Sequence, residues 1–208
     1  MKAIFFSIVV FSAILFSACN GSAPKNEHEG HSMNNDTTTQ HVSSTDTADV
    51  KTVTAAFTNI DAQAAASIKE MVNHYLHIKN ALANDNAADA ATAAKALENA
   101  IGKLDKSLLT AEQKTAYDAN EAELSEHAEH IAKNADNIKH QRFHFIQLSE
   151  VIYLLVKNFG AGRPLYHDHC PMARDNQGAM WLSETKEINN PYFGAQMLKC
   201  GTVEEIIH

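Results

Sequence analysis

The run YHDHCPMA at residues 166–173 sets His167, His169, Cys170 and Met172 within six positions, and Cys200 follows in MLKCG. Met180 and Met197 add thioethers to the same stretch. Thiolate and thioether sulfurs select soft ions, Cu(I) above all, whereas imidazole serves zinc and copper alike. Cu(I) accepts low coordination numbers, so two thiolates and one thioether or imidazole would hold it. The candidate ligands are therefore Cys170, Met172, Met197 and Cys200, with His169, His167 and Met180 in support. Ag(I) would use the same sulfurs. Zn²⁺ asks for a closed tetrahedral set, which Cys170, Cys200, His167 and His169 could supply, though without a Cys-x-x-Cys half-site. The competing reading is a Cys170–Cys200 disulfide. Closing a loop of roughly 30 residues stabilises by about 3–4 kcal/mol on the chain-entropy argument. Spacing leaves both readings open.

Other donors stand elsewhere. HEGHSM places His28, His31 and Met33 in a polar stretch, an arrangement suited to loose capture of copper. His74 and His77, His127 and His130, and His140 and His144 are spaced at three or four residues, so each pair can share a helix face and bridge Zn²⁺ or Cu²⁺. Such pairs are equally compatible with ordinary surface histidines. Glu-x-x-His on two helices, as a di-iron bundle needs, is absent. So are GxSxG, GxxxxGK[ST], CxxCH and HExxH, and no enzyme activity is expected.

Four helical stretches must position these groups. Ile60, Ala64, Ile68, Met71, Tyr75, Ile78 and Leu82 recur at three- and four-residue steps, the signature of one buried helix face. A second stripe runs from Ala87 to Leu108. TAEQ at 110–113 is a capping box that opens a third helix. Phe145, Leu148, Ile152, Leu155 and Phe159 mark a fourth, which ends at Gly160. NADN at 134–137 is either a break or a polar stretch between two helices; a single long bent helix there would give a three-helix arrangement instead. The expected fold is all-α: an antiparallel four-helix bundle with a packed, loop-rich C-terminal tail. Trp181, Tyr192 and Phe193 are its expected anchors, with a strand pair or helical turn near 179–182 and 195–199.

The N-terminus reads as an export signal over residues 1–18: one lysine, a short apolar core, then small residues. LFSAC resembles a lipobox, which would make Cys19 the lipid-modified first residue of the mature chain. Residues 19–57 read as a flexible polar linker, and 58–208 as the folded domain. A net charge of −8 argues against nucleic acid as a partner. With Cys19 modified, only Cys170 and Cys200 remain, in a compartment where thiols commonly pair.

HIAKNADNIKHQRFHFIQLSEVIYLLVKNFG, LYHDHCPMA, GAMWLSE and INNPYFGAQMLKCGTVEE occur in that order. Together they closely resemble the domain-of-unknown-function family numbered 3347. The resemblance runs from about residue 60 to the C-terminus. It implies an exported four-helix domain associated with periplasmic adaptors of RND-type heavy-metal efflux pumps, and so with copper or silver. The family motif falls here on Tyr166, Cys170, Pro171, Met172, Trp181, Leu182, Ser183, Asn190, Pro191, Tyr192, Gly194, Met197, Cys200 and Gly201; His167 and His169 lie outside it. The expected function is binding of Cu(I) by a lipid-anchored, periplasm-facing protein, for buffering or delivery to such an adaptor. The alternative is a non-metal envelope interaction module whose tail is locked by the disulfide.

Overall fold

The computed structural model describes residues 50–208. Among the described residues there are five helices: α1 (Ala62–Ala83), α2 (Ala87–Ile101), α3 (Ala111–Lys133), α4 (Ile138–Phe159) and the short α5 (Ala173–Asn176). Polar side chains start the long ones. Asp61 accepts from the Gln63 and Ala64 amides, Asn86 from Asp89, and Asn137 from His140. Thr110 and Gln113 form the full reciprocal capping box. Residues 134–137 are therefore a break between two helices, and the alternative of one long bent helix is excluded. α2 stops at Ile101, and Lys106–Leu108 form a 3-10 turn in place of its expected last turn. The stripes of α1 and α4 are the buried faces, with Ile68, Met71, Tyr75, Phe145, Leu148 and Ile152 at 0–1 % exposure.

The all-α expectation is wrong. Four strands, β1 (Lys51–Val53), β2 (Leu165–Cys170), β3 (Ala179–Ser183) and β4 (Thr202–Ile207), form one sheet in the order β1-β4-β2-β3. β1 runs parallel to β4, and the other pairs are antiparallel. The chain is thus mixed α/β, not a four-helix bundle with a looped tail. The turn residues that made the tail read as loop are the connections between strands. β2 lacks a clean apolar alternation because Leu165, His167, Asp168 and Cys170 are all buried. β1 lies inside the stretch read as linker and pairs with the far end of the chain, Lys51 opposite Glu205. No local pattern announces such a pairing.

No membrane anchor is found among the described helices: none of them is long and apolar enough to cross a membrane. The signal peptide, Cys19, His28, His31 and Met33 lie outside the described residues.

A buried polar layer joins the sheet to the helices. The Leu182 amide of β3 donates to the Tyr75 hydroxyl of α1 at 2.9 Å, and that hydroxyl pairs with Ser149 Oγ of α4, also at 2.9 Å. Tyr75 stacks on Phe145 with centroids 5.2 Å apart, and Trp181, fully buried, meets Tyr192 edge-on. The Arg142 guanidinium of α4 donates to the carbonyls of Leu82 and Pro191 and to Asp85. It thereby ties the end of α1 to the C-terminal loop.

Asp168 is an exception within this layer. It is fully buried, and neither carboxylate oxygen has a hydrogen-bond partner; the nearby Trp181 Nε1 has none either. Burial pushes its carboxyl up to about 8, against the opposing pull of Lys79 and Trp181. Lys79, itself buried, is lowered by the same desolvation. An Asp in the unfolded chain titrates near ~3.9, so the folded pKa is the raised one. The proton-bound fold is favoured, and this contribution to stability is lost as pH rises from about 4 through about 8. Asp168→Asn should remove that loss. Thermal melts across pH should show a variant advantage that grows toward pH 8, reaching several degrees if ~1–3 kcal/mol is recovered. A constant difference between the two proteins across that range would contradict it.

Candidate metal centre

β2 delivers Cys170 fully buried at its end, and the loop before β4 delivers Cys200 half-buried. Their Sγ atoms are 2.9 Å apart, and both are free thiols. One buried amide builds the loop that makes this contact. Asn190 Nδ2 donates to the Cys200 carbonyl at 2.7 Å, while its Oδ1 accepts the amides of Tyr192 and Phe193 at 2.8 and 3.3 Å. The Asn190 amide donates to the Leu198 carbonyl, and the Cys200 amide to that of Met197. Gly201 follows with φ +146°, where a Cβ would stand 2.8 Å from the Trp181 ring. The Cys200 thiol is pushed up to about 11, first by its hydrogen bond with Cys170 and then by burial. Without an ion it stays protonated at neutral pH, and a soft metal would have to displace that proton.

The remaining tail donors divide. Met172 and Met197, two and three residues from the cysteines in sequence, line one groove of 620 Å³ with Phe143, Ile146, Tyr192 and Phe193. Met172 is 47 % exposed. In the β2–β3 register Ala179 stands opposite Cys170 and Met180 opposite His169. Side chains alternate between faces along a strand, so His167, His169 and Met180 lie on the face turned away from Cys170. His169 Nδ1 sits 3.2 Å from a Glu204 oxygen, and His167 stacks on Tyr153 at 4.7 Å. Burial lowers the His167 pKa. The structure brings the two thiols together and groups the two thioethers. It does not bring the tail histidines to the thiols.

A second donor set forms where α3 meets α4. His130, His140 and His144 each offer a ring nitrogen within 4.8 Å of the others, a cluster capable of coordinating a metal ion. His127 joins it, with its Nδ1 3.1 Å from that of His144. The pairs at 127/130 and 140/144 were visible in sequence as separate helical pairs. What was missed is their convergence. His127 stands seven residues before Asn134 and His144 seven after Asn137, so an antiparallel hairpin turning there sets them face to face. His74 and His77 do not join: they face Glu70 and Asp89.

Removal of the Asn190 side chain tests how the thiols are held. Asn190→Ala leaves one carbonyl and two amides without their partner and should cost ~2–3 kcal/mol in urea unfolding. It should also slow cross-linking of Cys170 to Cys200 by a short bifunctional thiol reagent. Unchanged stability and cross-linking would show that the loop holds its shape without the amide.

No curated protein and no solved structure matches the chain. A family described as a protein of unknown function (DUF3347) matches residues 71–163, from within α1 through α4 to the turn before β2. The quoted tail motifs, Cys170 and Cys200 included, lie beyond that span. Residues 71–163 are a domain of this family.

Proposed function

We propose that this protein is an exported lipoprotein of the cell envelope, facing the periplasm, that binds Cu(I) between Cys170 and Cys200. One observation carries the reading: two free thiols thirty residues apart meet at 2.9 Å in a loop shaped by Asn190. Met172 or Met197 would complete a soft, low-coordinate site from the adjoining groove. Ag(I) fits the same donors. Zn²⁺ fits less well, because His167 and His169 face away. Exchangeable thioethers beside a thiolate pair suit buffering, or transfer to an adaptor of RND-type heavy-metal efflux. The N-terminal export pattern ending at Cys19 supports the compartment.

The same contact favours a second reading. Closing the thiols to a disulfide bond of about 2.05 Å needs a shift of only about 0.9 Å. The tail would then be a locked docking surface with no metal.

Anaerobic titration of the reduced protein with Cu(I), against a chromophoric competitor, separates the two. One Cu(I) per chain at the tail should bind with loss of both titratable thiols. Cys170→Ser or Cys200→Ser should weaken it by roughly 100-fold, ~2.7 kcal/mol. Deleting residues 26–33 should lower total copper stoichiometry without touching this site. A protein that emerges from the envelope with no free thiols before reduction would favour the disulfide reading.

A further inference from the structure

The imidazole cluster on α3 and α4 has no part in the tail reading. His144 is buried, and His130 and His140 are half-buried. His130 and His144 lie in parallel planes with centroids 4.1 Å apart, and His140 tilts against His144 at 4.6 Å. No carboxylate pairs with His130, His140 or His144 within 4.0 Å among the described residues. Burial and then the neighbouring His130, His140 and His127 push His144 down to about 4.

The geometry points to a second metal site, at His130, His140 and His144, that takes a borderline divalent ion, Zn²⁺ or Cu²⁺, and staples the α3–α4 hairpin. His127 is its positioning residue. The hydrogen bond between Nδ1 of His127 and Nδ1 of His144 fixes the ring and leaves Nε2 of His144 to the ion. A metal-bound imidazole ordinarily has such a partner on its other nitrogen. Three nitrogens with one open position suit zinc or copper and offer a soft monovalent ion no sulfur. With metal–nitrogen bonds of about 2.0–2.1 Å, the nitrogens must draw closer than their present 4.8 Å limit. Rotation of the two half-buried rings supplies that movement, since neither ring is hydrogen-bonded among the described residues. Entry is open as well: His140 lines a surface depression with Asn137, Lys139 and Phe143. The consequence is mechanical. Two helices joined at this end by the Asn134–Asn137 turn and the Gln141–Ile131 hydrogen bond gain a metal cross-link beside them.

The site is independent of the tail, so untagged protein carrying Cys170→Ser and Cys200→Ser is the right test object. Calorimetric titration with Zn²⁺ should give one ion per chain, and the melting temperature should rise with metal. Replacing His130, His140 and His144 together by Ala should abolish both effects, and His77→Ala should leave both unchanged. His127→Gln should weaken Zn²⁺ by about 10–100-fold without changing stoichiometry. Co²⁺ added to the wild type gives a readout that does not depend on the cysteine variant folding. Imidazole ligation gives visible ligand-field bands without a thiolate charge-transfer band. A strong thiolate band for the first equivalent, or tight Zn²⁺ binding that survives the triple histidine variant, would overturn the proposal.

Discussion

The fold turns on the Tyr75 hydroxyl. It is the meeting point of α1, α4 and β3: it accepts the Leu182 amide and pairs with Ser149, with all three groups buried. An amide in the middle of a buried strand that lost this partner would carry a desolvation cost of about 1–3 kcal/mol. Desolvation by burial holds the phenol's pKa far above the ordinary value, against the lowering pull of the Ser149 and Leu182 hydrogen bonds, so it stays neutral at physiological pH. The sheet is thus locked to one face of the helices by directional bonds as well as by Trp181 and Tyr192. Arg142 adds a second tie where the C-terminal loop crosses the end of α1. β2, paired with the fixed strand β3, brings Cys170, and the loop tied by Arg142 at Pro191 brings Cys200.

Much of the helical layer is legible in the sequence, because each device is local. The three- and four-residue stripes, the Thr110–Gln113 box and the Asn134–Asn137 break all act within a few residues of themselves. The sheet is not legible for the opposite reason. β1 and β4 join the two ends of the described chain, and β2 buries His167 and Asp168 among apolar neighbours, which erases the period-two pattern a strand search relies on. Trp181 and Tyr192 do anchor the tail, as their size suggests, but they anchor strands and a structured loop. Chemistry followed the same division. The proximity of Cys170 and Cys200 could be suspected from two late thiols, whereas the facing of His127 with His144 needs the hairpin geometry first.

The two donor sets differ in softness and in mechanical setting. The thiols sit at the junction of a strand and a loop, and Met172 and Met197, close to them in sequence, line a partly exposed groove. The imidazoles sit on two rigid helices and have no sulfur among them. A soft monovalent ion and a borderline divalent ion would therefore sort between them by ligand type, with no need for large differences in shape. Metal at the first set would order the loop after β3, and metal at the second would tighten α3 against α4. The family match runs from within α1 through α4 and ends before β2, so the imidazole set lies within the matched domain and the thiol set outside it.

X-ray absorption at the copper edge of protein loaded anaerobically with one equivalent of Cu(I) tests the central claim most directly. The account predicts a first shell of sulfur alone, from two thiolates and one thioether, that disappears in Cys170→Ser/Cys200→Ser. A first shell of nitrogen or oxygen in the wild type, or copper retained unchanged by the double variant, would contradict it.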